Sequence, residues 1–386
     1  MKKIVYLITI LSCLMLTNCA LIEPHMRPYN PEPFTELNGK AFATLIPWKE
    51  HPDKGSYMVI YDLENLKTVK QIPLEGVSSF WDTCYYWNGK YYFQNIRLNF
   101  QTSTIEELSI GVVDARDGKV RYLKLWSMGH CTGITQDGKM YILGRYNLDK
   151  KALTVTVVDA KNGSTYVKYY KPSYPTGTFS ELGTNYINPA NGYAYFWEQY
   201  VPETRILRFR TSDDSLEEVY NFGAEIQALQ GALSEDGKQL FVTINRKDVL
   251  SDQASPELLK EQNTLVVIDT ENRKLKEVID LPSPEWLFGE DMTEDEWATA
   301  WVAVYKDWVY ITAYKESDLS KDVLFKYNVK TGEFVRIGEM PPMYTFDIVG
   351  DKLVAVTSYD VNERITVIDL KTDEIIVNDE SIRLYE

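Results

Sequence analysis

The sequence predicts an all-β chain, a seven-bladed β-propeller with four antiparallel strands per blade, from three observations. The core of one pattern recurs seven times: an apolar run, an acidic or polar turn, and a second apolar run. The clearest copies join Val59-Ile60-Tyr61-Asp62 to Val69-Lys70-Gln71-Ile72, Gly111-Val112-Val113-Asp114 to Val120-Arg121-Tyr122-Leu123, and Val266-Val267-Ile268-Asp269 to Leu275-Lys276-Glu277-Val278. The others run from Val155 to Tyr170, Arg205 to Phe222, Leu324 to Ile337 and Ile365 to Val377. Between them lie seven further hairpins, with turns at Asn38-Gly39, Asn88-Gly89, Asp137-Gly138, Asn191-Gly192, Asp236-Gly237, Lys306-Asp307 and Gly350-Asp351. Asn-Gly and Asp-Gly are the strongest hairpin signals, because both central residues of a type I′ turn take positive φ. Finally, the turns recur at steps of 50, 49, 54, 45, 70 and 43 residues. Repeats of this period, each built of hairpins, mean a propeller. Six or eight blades are the alternatives, eight being the closer because the 70-residue step has room for a degenerate blade.

The elements follow in order. Lys2-Lys3 precede an apolar run from Ile4 to Leu16, a charged and then hydrophobic leader too short to span a bilayer. Leu16-Thr17-Asn18-Cys19 resembles a bacterial lipobox, with Asn18 where a smaller residue is usual. The chain therefore divides into a signal peptide (1–18), a lipidated Cys19 with a proline-rich tether (19–33) and the propeller (34–386). An ordinary secretory signal is the alternative. Several acyl chains, palmitate among them, would give stable anchoring. The expected address is the cell envelope, as an outer-membrane lipoprotein facing either the periplasm or the surface.

Each blade reads as strand a, tight turn, strand b, loop, strand c, polar turn, strand d. The tight turns then share one face, and the b–c and d–a loops share the other. Two insertions, Lys247 to Gln262 and Ser283 to Trp297, fall on that second face, the first with a possible helical turn at Pro256–Glu261. Ring closure is expected from a strand near Phe34–Leu37 or from Ser381–Tyr385. Binding residues concentrate on loops held by a rigid scaffold, so the loop-rich face is the expected working face.

Four cations end strand b on that face: Arg97, Arg145 (followed by Tyr146), Arg246 and Lys315. Together they could hold an anion; singly they would cap strand ends and pair with nearby acids. The d–a loops and a strands add Trp81, Trp126, His130 and Tyr344, which suit a planar ligand or the core. The expected ligand-binding set is Arg97, Arg145, Tyr146, Arg246, Lys315, Trp81, His130 and Tyr344. With three histidines and no H-E-x-x-H, C-x-x-C or phosphate-loop motif, no metal, cofactor or catalytic residue is assigned. Cys84 and Cys131 fall on innermost strands of adjacent blades, which diverge too far to favour a disulfide. The net charge of −15 argues against nucleic acid, whose phosphates require a basic footprint.

Asp114-Ala115-Arg116-Asp117-Gly118-Lys119 and Asp159-Ala160-Lys161-Asn162-Gly163 resemble the repeats of bacterial exported β-propeller lipoproteins, of YVTN and quinoprotein type, including those of Bacteroidetes. Quinoprotein repeats carry a docking Trp four residues after the glycine, where this chain has Tyr122 and Val167. The resemblance thus implies the fold without a quinone cofactor. Some relatives look like accessories of TonB-dependent uptake of siderophores or other nutrients, others like outer-membrane assembly lipoproteins; taken with the four cations, the expected function is capture of a small anionic nutrient or siderophore on the loop-rich face. A scaffold for outer-membrane protein partners and a propeller lyase or hydrolase are its rivals.

Overall fold

The acidic turns of the repeat close by one chemistry. Asp62 Oδ1 accepts the N–H groups of Glu64 and Asn65 at 2.8 and 3.2 Å. Asp114, Asp159, Asp269, Asn328 and Asp369 likewise accept the N–H two residues on, at 2.9–3.1 Å. Such side-chain-to-backbone bonds fold a turn locally. The chain then reverses through a left-handed residue at one fixed position: Leu66, Gly118, Gly163, Asp214, Arg273, Gly332 and Asp373, with φ of 51° to 74°.

The computed structural model describes residues 41–47, 55–77, 84–99, 104–126, 129–171, 178–181, 187–188, 192–199, 203–226, 229–244, 263–281, 297–315, 318–343, 345–357 and 364–378. Blade 1 holds β1 (Ala41–Pro47), β2 (Gly55–Asp62) and β3 (Lys67–Glu75). Blade 2 holds β4 (Cys84–Trp87), β5 (Lys90–Asn99), β6 (Thr104–Asp114) and β7 (Val120–Lys124). Blade 3 holds β8 (Gly129–Thr135), β9 (Lys139–Asn147), β10 (Ala152–Asp159) and β11 (Ser164–Tyr170). In blade 4, β12 (Thr178–Glu181) precedes β13 (Ile187–Asn188), β14 (Tyr193–Gln199), β15 (Arg205–Arg210) and β16 (Ser215–Asn221). Blade 5 holds β17 (Gln230–Leu233), β18 (Gln239–Ile244), β19 (Thr264–Asp269) and β20 (Lys274–Asp280). Blade 6 holds β21 (Trp297–Tyr305), β22 (Trp308–Lys315), β23 (Asp318–Asn328) and β24 (Phe334–Met340). Blade 7 holds β25 (Thr345–Val349), β26 (Lys352–Thr357), β27 (Arg364–Asp369) and β28 (Ile375–Asn378). This is the seven-bladed propeller the sequence predicts. The proposed closing strands at 34–37 and 381–385, and both insertions apart from Trp297, lie outside the described residues.

Two details differ from expectation. Among the tight turns with both residues described, Asn88-Gly89 alone has positive φ at both. At Asp137-Gly138 and Asp236-Gly237 the glycine alone is left-handed, and its N–H reaches back to Thr135 O or Ser234 O at 2.8 Å. The hydroxyls of Thr135 and Ser234 also accept the N–H groups of Lys139 and Gln239 at 2.9 and 3.0 Å. An extra residue is thus accommodated without a type I′ turn. In blade 4, β14 pairs with β12, and the two residues of β13, which lie between them in the chain, run parallel to β8 of blade 3. The Asn191-Gly192 signal therefore marks no tight a–b hairpin.

The core is divided among the blade interfaces. Successive side chains of a strand point to opposite faces. In β9, Met140 and Ile142 enter the cluster shared with blade 2, while Tyr141 and Leu143 enter the cluster shared with blade 4. Both faces are buried, so strands read as continuous apolar runs rather than alternating ones. Five further clusters repeat the arrangement around the ring. The last joins Phe42 and Tyr61 of blade 1 to Val354, Val356, Ile365 and Val367 of blade 7. Each buried Leu, Ile, Val or Phe contributes about 1.5–3 kcal/mol. Cys84 packs against the blade 1–2 cluster and Cys131 within the blade 2–3 cluster; both are free thiols.

Polar latches add to this on the tight-turn face. Arg208 of β15 donates to Thr270 O in the c–d turn of blade 5 at 2.9 Å, with its guanidinium 3.7 Å from the Tyr193 ring centroid. Lys326 of β23 pairs with Asp373 in the turn of blade 7. The fullest latch is at Asp214, in the turn of blade 4. Its Oδ1 accepts Lys139 Nζ at 2.6 Å and Tyr141 OH at 2.9 Å. Its Oδ2 accepts Tyr166 OH at 2.8 Å and pairs with Lys168 Nζ at 3.0 Å. All four donors come from blade 3.

Candidate functional site

The loop-rich face is held by polar pins at one register position, six residues before the c–d turn. Ser56 Oγ donates to Val77 O at 2.9 Å. Thr204 Oγ1 accepts Ile226 N–H at 2.9 Å and donates to Ile226 O at 3.1 Å. Asp322 Oδ2 accepts Met343 N–H at 3.1 Å, whereas at the matching position of blades 5 and 2 the bond is a backbone one, from Leu281 N–H to the Asn263 carbonyl at 3.1 Å and from Leu125 N–H to the Leu108 carbonyl at 3.0 Å. Each pin fastens strand c, or the residue just before it, to the d–a connection of its own blade. The connection after Val77 carries Trp81, and Met343 directly precedes Tyr344. A buried polar group must find a partner, so these pins fix where the loops leave the scaffold.

The predicted ligand-binding residues fall on this frame as follows. Arg97 lies near the end of β5, opposite Glu107 of β6. Arg145 and Tyr146 lie near the end of β9, Tyr146 opposite Leu153. Lys315 ends β22, opposite Trp297 on one side and Asp318 on the other. His130 is on β8, the innermost antiparallel strand of blade 3, opposite Leu143. Arg97, Arg145, Tyr146 and Lys315 thus share the loop-rich ends of second strands. Trp81, Arg246, Tyr344 and Cys19 lie outside the described residues. Among the described residues, blades 1, 4 and 7 lack the cation: β1 ends at Pro47, β26 ends at Thr357, and the end of β14 carries Glu198, buried and opposite Arg205.

Sequence reasoning missed two acidic groups. Asp322 is buried, and burial pushes its carboxyl up to about 7, with the Met343 N–H opposing that. Asp347 lies on β25, the innermost strand of blade 7, and accepts the Ile348 N–H at 2.7 Å. Burial pushes it up to about 8. Asp347 keeps some accessible surface on that innermost strand. Both carboxyls can therefore carry a proton near neutral pH. Asp322 had a signal, since its register position is polar in Ser56, Thr204 and Asn263 as well. Asp347 had none. Among the described residues, no group of three or more His, Cys, Asp and Glu is placed to hold a metal ion.

The class this geometry defines is the single-ring β-propeller. A protein from Lactobacillus plantarum matches with a TM-score of 0.56 at 10% identity, covering 89% of this chain and 96% of that one. The propeller domain of the Trilobed protease from Pyrococcus furiosus matches at 0.55 and 14%, covering 89% and 93%. The periplasmic gluconolactonase of Pseudomonas aeruginosa matches at 0.55 and 10%, covering 88% and 95%. At these identities the likeness is one of fold. No family model and no curated protein matches the sequence.

Proposed function

We propose that this chain is a lipid-anchored propeller of the bacterial cell envelope that captures a small anionic ligand, a nutrient or siderophore, on its loop-rich face as an accessory of TonB-dependent uptake. The observation that carries the reading is the recurrence of a cation where second strands end on that face: Arg97, Arg145 and Lys315 on described strands, and Arg246 by sequence position. Cations around one mouth of an acidic protein attract and retain an anion. Neutralising Arg97 and Arg246 together (Arg97→Gln, Arg246→Gln) is expected to weaken binding of ferric citrate, a compact anionic chelate, about tenfold in calorimetric titration. The loss should shrink at high salt, where charge attraction is screened. Equal affinity in the double variant would count against anion capture and leave the protein-scaffold reading ahead.

The anchor has its own test. Cys19→Ala is expected to move the protein from the membrane fraction to the soluble periplasm, because acyl chains supply the stable attachment. Retention in the membrane would remove the lipoprotein reading. A lyase or hydrolase is the second reading, favoured by Asp347: a carboxyl protonated near neutral pH on an innermost strand is a candidate general acid. The gluconolactonase neighbour makes lactones the first substrates to try. Lactone turnover that disappears in Asp347→Asn would displace the capture reading.

A further inference from the structure

Among the described residues, the exposed large apolar side chains are Tyr122, Trp126, Leu148 and Tyr169, and all four belong to blades 2 and 3. Leu148 is 82% exposed and Trp126 57%. Leu148 sits in the β9–β10 loop, which is an ordered turn: Asn147 Oδ1 accepts the Lys150 N–H at 2.9 Å, and Lys151 closes it at φ 50°. The leucine is thus held outward by a built turn. Trp126 and Tyr169 each lie under a lysine: Lys124 Nζ is 4.8 Å from one ring centroid and Lys150 Nζ 5.9 Å from the other. Val120 packs toward blade 1 and Leu123 toward blade 3, so Tyr122 and Lys124 lie on the blade 1 side of the outer strand. Tyr169 lies on the blade 2 side of β11, because Tyr166 and Tyr170 turn toward blade 4.

The charge of this region is opposite to that of the chain. Between Val120 and Lys171 there are nine Lys and Arg against three Asp, a net of +6 in a chain of −15. Lys139 and Lys168 are engaged by Asp214, but Lys124, Lys150, Lys151 and Lys171 are exposed. Trp and Tyr favour the boundary between hydrocarbon and water, and lysine stems can lie along apolar surface with their heads at phosphate level. A basic surface with projecting apolar groups suits an anionic bilayer. Leu148 and Trp126 project at the loop-rich ends of blades 2 and 3 as single apolar groups beside lysines, which suits insertion into a headgroup layer better than capture of an acidic peptide.

We propose that the rim of blades 2 and 3 docks on an anionic lipid bilayer, with Leu148 and Trp126 entering the headgroup layer and Lys124 and Lys150 meeting lipid phosphates. This rests on the envelope placement proposed above, and it adds that the propeller lies down beside its anchor.

The test is vesicle flotation of the full chain carrying Cys19→Ala, so that no acyl chain contributes and any effect of the first nineteen residues is common to every sample. Vesicles are of phosphatidylethanolamine with phosphatidylglycerol, or of phosphatidylcholine alone. The parent is expected to prefer the anionic vesicles and to lose that preference at high salt. Trp126→Ser with Leu148→Ser, and separately Lys124→Glu with Lys150→Glu, are each expected to weaken binding to anionic vesicles about tenfold. Near-ultraviolet circular dichroism reports whether the fold is kept. If the paired variant is perturbed, Leu148→Ser alone is expected to weaken binding about threefold. A parent that ignores vesicles, or variants that float like the parent, would overturn the proposal. Variants that still float but are no longer retained on polyglutamate resin would also overturn it, in favour of an acidic macromolecule. Release of Cys19→Ala from cell membranes washed at high salt, where charge-dependent docking is screened, reports on the anchor separately.

Discussion

Asp214→Ala is expected to lower the free energy of unfolding by about 3–5 kcal/mol, the usual cost of removing one partner from a buried ion pair. The variant leaves Lys139 and Lys168 facing each other across an emptied site, with the Tyr141 and Tyr166 hydroxyls unpaired. Burial pushes the Asp214 carboxyl up, but bonds from Lys139, Lys168, Tyr166 and Tyr141 outweigh it and hold the group below the ordinary aspartate range. The contribution is therefore complete above the unfolded value, near about 3.9, and disappears as pH falls through the lower folded value. Urea unfolding of parent and variant should differ most near neutral pH and converge in strong acid. Asp214→Asn is the milder comparison, because asparagine tolerates the left-handed φ of 55° and keeps one acceptor oxygen. A loss below about 1 kcal/mol for the alanine variant would mean that the latch is no better than a surface pair.

Gly129→Ala is expected to be about as damaging, for a steric reason. A Cβ on Gly129 would stand 1.6 Å from Leu143 O and 2.8 Å from Gly144 N. These are backbone atoms of the paired strand, so no rotamer change makes room. The β8–β9 ladder has to part where Gly129 faces Gly144. The Gln94 side chain of blade 2, which donates to Gly129 O at 2.9 Å, loses its acceptor with it. Overpacking of this kind costs about 3 kcal/mol. An unchanged denaturant midpoint would show that the strands can separate there at little cost.

The sequence was most legible where local chemistry acts alone. Asp62, Asp114, Asp159, Asp269 and Asp369 mark their turns because the carboxylate folds the next few residues by itself. Gly118, Gly163 and Gly332 announce a left-handed residue, whereas Leu66, Asp214, Arg273 and Asp373 take the same conformation without announcing it. Blade 4 was misread for a related reason. Asn191-Gly192 looks like a tight hairpin, but β14 takes β12 as its neighbour, and that choice is made by tertiary packing.

The candidate site was legible in part. Counting from the tight turns correctly carried Arg97, Arg145 and Lys315 to the ends of their strands, since strands advance evenly. Asp322 and Asp347 escaped because desolvation makes them unusual, and the atoms around a residue come from segments far away in the chain. Asp214 escaped for the same reason: its four partners precede it by 46 to 75 positions and belong to another blade.

The seven interfaces are not equivalent under mechanical load. Six of them join blades that the chain also connects directly, so their halves cannot drift apart even if the side chains let go. The interface of Phe42 and Tyr61 with Val354, Val356, Ile365 and Val367 joins the first blade to the last, and among the described residues no strand passes from one to the other. Among the described residues, β1 is the first strand of the ring, and it carries Phe42 into that interface. Among the described residues, the seam between blades 1 and 7 is held by buried side chains, and these set how firmly the ring resists being stretched open there.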